Sequence, residues 1–124
     1  MAALATAPTA THPLEQLTAD EVCTVREVLS TAGLVVESTR FVYVGLEEPD
    51  KAALSAGVVP DRRVRALLHD VERPDAHDVV VSVTERAIVS DRALDAATDG
   101  QLPVLDEEFA LVEEVLATDE RWLA

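Results

Sequence analysis

The chain has 124 residues, 48% of them hydrophobic, which is enough for one domain with a real core and too little for two. Asp and Glu number 24 against 10 Lys and Arg, a formal net charge of -14. That charge repels phosphate backbones and anionic lipids, which excludes nucleic acid and membrane surfaces as main partners. A lone cysteine, Cys23, cannot form an internal disulfide, so we expect a cytoplasmic protein.

The first twelve residues are rich in Ala and Thr and show no periodicity. We predict a disordered leader over residues 1–12, without the basic start and long apolar centre of a signal peptide. Residues 13–117 are predicted to form a single small domain.

A first helix is predicted after Thr18, which forms a capping box with Glu21. Gly33 supplies its left-handed stop. The apolar residues between them recur at spacings of three and four: Val22, Val25, Leu29 and Ala32.

Four strands follow, over residues 40–46, 62–70, 78–84 and 87–95, with residues 51–57 read mainly as a loop. The first is apolar on both faces and should be covered on both sides. The second and third alternate strictly, with Ser82, Arg63 and Arg65 predicted to face outward. Their predicted inward residues are Val64, Ala66, Leu68, Val79, Val81 and Val83.

A last helix is predicted with three acids, residues 106–108, in its first turn, where the helix dipole favours them. Its apolar stripe is Leu105, Phe109, Val112 and Leu116. We expect Phe109 to anchor this helix against the third strand. The element order α-β-β-β-β-α predicts an α+β fold with a four-stranded antiparallel sheet and flanking helices.

Residues 118–124 resemble the start of another helix, capped by Thr118 and too short to be stable alone. We predict that this truncated helix leads to a next domain. Its apolar residues, Trp122 and Leu123, should then be exposed surface rather than core.

Few residues suggest chemistry. His69 and His77 could meet at a hairpin end near Asp70, Glu72, Asp75 and Asp78 as a metal site. No metal-binding spacing fixes them, so solvated strand-end histidines are the favoured interpretation. His12 falls in the leader. Cys23 lies among acids that disfavour its thiolate, which indicates a small core or boundary residue.

Two carboxylate clusters, residues 47–50 and 113–114, are interpreted as solvated surface rather than acid-base pairs. The three arginines at positions 62, 63 and 65 should pair with surrounding acids. We therefore assign no catalytic, cofactor-binding or metal-binding residue in this chain.

Several segments resemble the N-terminal, N2-type region of bacterial copper amine oxidases. They are residues 30–34 (STAGL), 79–84 (VVVSVT), 102–109 (LPVLDEEF) and 116–121 (LATDER). The resemblance covers residues 12–124 and implies a cystatin-like α+β domain. Such enzymes oxidatively deaminate primary amines, releasing aldehyde, ammonia and hydrogen peroxide, and use copper and a tyrosine-derived topaquinone.

The motifs of that chemistry do not map onto this chain. Its only tyrosine, Tyr43, lies in Val42-Tyr43-Val44 rather than the cofactor setting, and no His-x-His pair is present. The resemblance thus implies a non-catalytic accessory domain whose partners are the remaining domains of a homodimeric oxidase. A free-standing cystatin-like interaction module is the alternative.

Overall fold

The computed structural model describes residues 12–58 and 60–124, so nearly all of the predicted leader lies outside the described residues. The α+β class and the four-stranded antiparallel sheet are confirmed. The elements are α1 Ala19–Thr31, β1 Thr39–Glu47, α2 Lys51–Ser55, β2 Arg63–Asp70, β3 Ala76–Ser82, β4 Ala87–Ala93, α3 Ala96–Asp99, α4 Asp106–Ala117 and α5 Glu120–Leu123. None of the described helices is both long and apolar enough to span a bilayer.

Helix α1 begins as its sequence predicts. The Thr18 hydroxyl accepts from the Glu21 N–H at 3.2 Å, and Glu21 Oε2 accepts from the Thr18 N–H at 2.9 Å. The predicted apolar stripe is only half right, because Val22 and Ala32 are exposed. The buried line runs at intervals of four residues through Glu21, Val25 and Leu29.

The sheet is a meander in the order β1-β2-β3-β4, with α1 packed on one face. Side-by-side pairs such as Val64 with Val81 and Ala66 with Val79 place the inward residues of β2 and β3 on that face. The buried hydrophobic core is entirely aliphatic: Val25, Leu29, Val64, Ala66, Leu68, Val79 and Val81. The other face of the sheet, which we call the open face, carries Arg63 and Arg65.

Two expectations about the strands are wrong. Ser82 points away from the α1 face as predicted, but it is fully buried. Its hydroxyl is satisfied there, since it donates to Asp61 Oδ1 at 2.8 Å and accepts from the Glu85 N–H at 3.0 Å. Strand β1 is an edge strand with a register shift between Phe41 and Tyr43, and Tyr43 is exposed. The prediction that both faces of β1 are covered is therefore wrong for the face that carries Tyr43.

The Arg62 guanidinium joins the chain before α1 to the start of β2. It donates to the backbone carbonyls of Pro13, Glu15 and Gln16 at 2.9, 2.6 and 3.2 Å. Its Nε lies 3.0 Å from Glu21 Oε1. Burial alone would raise the pKa of Glu21, but hydrogen bonds from Arg62 and the Thr18 N–H, with the Arg62 charge, hold that pKa below its ordinary value.

The last helix departs most from prediction. Helix α4 forms where the acids and the apolar stripe predict it, but Phe109 is 61% exposed and does not pack on β3. Its first turn lies at the end of the sheet, where Arg40 Nε meets Glu107 Oε1 at 2.9 Å. None of its residues is buried, and within the described residues the stripe positions Phe109 and Val112 are more than half exposed. The short helix α2 lies in the segment that the sequence indicates is mainly a loop, and α2 and α3 are capped by Asp50 and Asp95, respectively.

These environments predict opposite outcomes for two large-to-small substitutions. Leu29→Ala, in the core, should lower the free energy of unfolding by about 2–5 kcal/mol, because it removes buried methyl groups and leaves a cavity. Phe109→Ala should change it by less than about 0.5 kcal/mol, because that ring is exposed. Urea titrations of the two variants measure this, and a loss in Phe109→Ala as large as in Leu29→Ala would mean that α4 is docked on the domain.

Arg62→Met should destabilise the fold by about 3–5 kcal/mol at neutral pH, because it leaves the Glu21 carboxylate and three carbonyls without their donor. The lowered folded-state pKa of Glu21 contributes stability above its ordinary value of 4.5, and this is lost as the pH falls through the folded pKa. The difference between wild type and variant should therefore be largest near neutrality and shrink below about pH 4.5.

The matched control is Arg86→Met, which removes the exposed Arg86–Glu27 pair, 2.8 Å long, and should cost at most about 1 kcal/mol. Denaturant titrations of both variants across pH 3–8 provide the measurement. Equal losses in the two variants, or a penalty for Arg62→Met that is independent of pH, would contradict this account.

Candidate functional site

The two strand-end histidines lie on opposite faces of the sheet. His77 is side by side with Leu68, on the α1 face, whereas His69 is side by side with Ala76, on the open face. His77 Nδ1 is 2.8 Å from Asp91 Oδ1. The fold thus separates the two histidines considered as metal ligands, and the described part of the chain holds no group of three or more His, Cys, Asp or Glu that could ligate a metal.

The other candidate residues lie at the surface. Cys23 is exposed on α1, not in the core. The carboxylates of both predicted clusters are exposed, as expected: Glu47, Glu48, Asp50, Glu113 and Glu114. The predicted pairing of the arginines is confirmed by ion pairs of Arg62 with Glu21, Arg63 with Asp61 and Arg65 with Asp78.

A chain of ion pairs crosses the open face. Arg65 binds Asp78 through two hydrogen bonds of 2.9 and 2.7 Å, which hold the pKa of Asp78 below its ordinary value. Arg92 Nη2 lies 3.7 Å from the same carboxylate, and its Nη1 lies 2.7 Å from Asp99 Oδ1. Carboxylates held charged in this way are poor proton-transfer groups near pH 7, so the network is suited to holding strands together rather than to acid-base chemistry.

A cleft of about 290 Å³ lies at one end of the open face. Val42, His69 and Ala76 line it from the sheet, and residues 100–105 turn back over them ahead of α4. Glu108, in the first turn of α4, also lines it. The Nδ1 atom of His69 is buried and has no hydrogen-bond partner within residues 12–58 and 60–124. From the sequence, His69 is interpreted as a metal ligand or a solvated strand-end residue, because nothing in the pattern relates it to Glu108.

Six of the exposed large apolar side chains of the described residues lie on the last two helices. We call the surface that they form the α4–α5 surface: Phe109, Leu111, Val112, Val115, Trp122 and Leu123, each more than half exposed. The predicted exposure of Trp122 and Leu123 is confirmed. Helix α5 is capped by Asp119 rather than by Thr118, which instead ends α4.

The polar side of α4 is uniformly acidic. It carries Asp106, Glu107, Glu113 and Glu114 and no basic residue. Clustered exposed apolar side chains of this kind are typical of interaction and ligand-binding surfaces. The α4–α5 surface is therefore the candidate functional site, and its chemistry is that of binding.

The described residues do not fit copper or a tyrosine-derived cofactor. His69 and His77 lie on opposite faces of the sheet. His12 lies in the segment before α1, where its Nδ1 accepts a hydrogen bond from the Leu14 N–H. Tyr43, on the edge strand β1, is 47% exposed. These residues cannot converge on one metal ion, so no redox step is assigned to them.

Comparison with known proteins identifies the family. The model for the AGAO-like N2 domain matches residues 18–91, which run from the cap of α1 into β4. The chain belongs to the AGAO-like N2 domain family. This N2 domain is 47% identical over 116 residues, 93% of the chain, to the histamine oxidase of Arthrobacter globiformis. It is 32% identical over 113 residues, 91% of the chain, to both the primary amine oxidase and the copper methylamine oxidase of Arthrobacter sp. (strain P1).

The matched region is a small part of each relative, since the N2 domain spans 17% of the length of all three oxidases. The resemblance to the N-terminal region of bacterial copper amine oxidases is thus confirmed. The catalytic part of those oxidases lies outside the match. The family model covers the helix-on-sheet core, whereas α4 and α5 lie beyond its last matched residue.

The α4–α5 surface predicts salt-dependent self-association of the isolated N2 domain. The net charge of -14 opposes association at low salt, and screening over about 8 Å at physiological ionic strength relieves that repulsion. Sedimentation velocity should show association that grows with salt, falls on deletion of residues 118–124 and is lost in Phe109→Asp. Val89→Asp, an exposed valine on β4, is the matched control and should behave as wild type. A monomer at every salt concentration would contradict the prediction.

Proposed function

We propose that this chain is a non-catalytic N-terminal accessory domain of a copper-containing primary-amine oxidase. The parent enzyme would convert a primary amine to aldehyde, ammonia and hydrogen peroxide. In this proposal the chain contributes a folded N2 domain that docks on the remaining domains of a homodimeric oxidase. Copper and topaquinone belong to those domains, because the His and Tyr residues described in this one do not converge on a site.

The observation that carries the proposal is the exposed α4–α5 surface on a domain that spans 17% of the length of its relative. Phe109 and Trp122 are 61% and 68% exposed, respectively. Burying such side chains stabilises an interface by about 25 cal/mol for each Å² of apolar surface removed from water. The core of this domain is formed without these side chains. The free energy released when they are buried can therefore stabilise docking.

The location proposed for this domain is the cytoplasm. Cys23 is a free, exposed thiol and is the only cysteine of the chain, so the fold uses no disulfide. Exposed free thiols persist in reducing compartments, which supports this location.

The docking proposal is tested by reconstitution in trans. The partner is the histamine oxidase of Arthrobacter globiformis, the relative at 47% identity, from which the region aligned to this chain has been deleted. Isothermal titration of this chain into that protein should give a one-to-one complex. Phe109→Asp and Val112→Asp should each weaken binding at least about tenfold, because each buries a charge in an apolar contact.

Val71→Asp, at an exposed valine outside the α4–α5 surface, serves as the control and should bind as wild type. In the same samples, peroxide release from histamine should come from the oxidase alone and not from this chain. Absence of a complex between two proteins that both remain folded would overturn the accessory role and favour a free-standing cystatin-like interaction module.

A further inference from the structure

Helix α1 is too narrow to cover the whole face of the sheet on which it packs. Neighbouring strands lie about 4.8 Å apart, so the two outer strands of four are separated by about 14 Å. A helix with its side chains is only about 10 Å across. The backbone of α1 makes its main close approaches to β3 and β4, and β1, at the opposite edge of the sheet, has no buried residue. Part of the α1 face beside β1 is therefore left uncovered.

This uncovered part is an apolar groove of about 740 Å³, which we call the α1–β1 groove. Val22 lines it from α1, Phe41 and Val44 line it from β1, and Val35 and Val36 line it from the loop that joins the two elements. Val22 and Val36 are 39% and 49% exposed. A small ligand needs a site that buries most of its surface, which side chains as open as these do not provide. The groove is therefore suited to a protein partner.

An unpaired cation lies at this groove. Arg26, on α1, lines it, and its guanidinium forms no ion pair or hydrogen bond within residues 12–58 and 60–124. Among the basic residues only Lys51, on α2 and outside the groove, shares this property there. The other eight are paired with acids: Arg40, Arg62, Arg63, Arg65, Arg73, Arg86, Arg92 and Arg121. Since the chain is strongly acidic, a free arginine beside apolar side chains favours a partner that supplies a carboxylate.

The edge of the sheet favours a helix over a strand as the occupant. A groove between a helix and an edge strand can receive either an added strand or an amphipathic helix. Strand β1 has a register shift between Phe41 and Tyr43, and irregularities of this kind oppose the pairing of a further strand along an edge. A helix binds through its side chains and needs no regular edge. The remaining charged residue of the lining, Glu37, lies at the loop end of the groove, where it favours the positive, N-terminal end of a helix.

We propose that the α1–β1 groove binds an amphipathic helix of a partner protein that carries a carboxylate beside its apolar stripe. Apolar residues at i, i+3, i+4 and i+7 would lie against Val22, Val36 and Phe41, and the carboxylate would pair with Arg26. With its N-terminus near Glu37, the bound helix runs antiparallel to α1, which ends at the same loop. The groove shares no residue with the α4–α5 surface, so this inference does not rest on the proposed docking function.

The test uses three synthetic peptides of about 18 residues, long enough to form a helix on binding. The first has apolar residues at helical spacing with Glu beside them, and the second has Lys in place of each Glu. The third has the composition of the first in strict alternation, which favours a strand. Each is titrated into the full chain carrying Phe109→Asp, which removes the α4–α5 surface as a competing site. The titrations are followed by ¹⁵N-HSQC at physiological ionic strength, where repulsion by acids beyond about 8 Å is screened.

The Glu peptide should give saturable shifts of the amides of residues 22–30 and 35–44. It should bind about tenfold tighter than the Lys peptide, the ratio that one hydrogen bond between charged groups supplies. The alternating peptide should not bind. A spin label at the N-terminus of the Glu peptide should broaden the amide of Glu37 more than that of Val22.

Three variants locate the interaction. Arg26→Glu should reverse the preference, so that the Lys peptide binds better than the Glu peptide, and Val36→Asp should weaken both at least about tenfold. Lys51→Glu makes the same change in net charge outside the groove and should leave binding unchanged. Equal affinity for the Glu and Lys peptides, tighter binding of the alternating peptide, or no saturable shifts up to about 1 mM Glu peptide would overturn the proposal. None of these outcomes bears on docking through Phe109, because that side chain is replaced throughout.

Discussion

The Arg62 guanidinium donates to both oxygens of Glu21, at 3.0 and 3.2 Å, and to three backbone carbonyls from the segment before α1. Because Glu21 lies in the first turn of α1 and Arg62 directly precedes β2, this contact sets where the helix starts relative to the sheet. The alignment then places Val25 and Leu29, one and two helical turns further on, over the inward residues of β2 and β3. The packing of the aliphatic core therefore depends on the contact between Arg62 and Glu21.

A single helix over a four-stranded sheet leaves the two sheet faces with different chemistry. The α1 face is dry and aliphatic, whereas the open face is held by charged pairs such as Arg65–Asp78. Partly exposed pairs of this kind contribute little each, so the dry face supplies most of the stability. The open face is therefore free to carry the cleft around His69 without loss of core packing.

Local patterns predicted those parts of the fold whose causes are local. The Thr18–Glu21 capping box and the alternation of Val64 and Ala66 with arginines follow from neighbours in sequence. The prediction that Phe109 anchors α4 on the third strand was wrong. An apolar stripe indicates which face of a helix is suited to a contact, but it does not identify the surface that makes the contact. Ser82 was predicted on the correct face of β3, but its burial was not, and the carboxylate that satisfies its hydroxyl, Asp61, is twenty-one residues away in the sequence.

The same distinction explains why the candidate sites were hard to predict. His69 and Glu108 line one cleft only because of the path of the chain after β4, which no periodicity in the sequence predicts. The α4–α5 surface was recognised only at Trp122 and Leu123, where the helix is too short to be stable alone. Over α4 the same apolar pattern was attributed to core, although the seven core residues already cover one another without it.

The acidic side of α4 determines which kind of partner surface its apolar stripe favours. With Glu113 and Glu114 beside Phe109 and Val112, an apolar partner surface rimmed by basic residues would gain both burial and charge complementarity. A second copy of this chain offers the opposite, because its own α4 is acidic and its net charge is -14. Charge of this sign therefore weakens self-association and leaves the stripe available to a different surface, which is the property that a docking element of a multidomain protein requires.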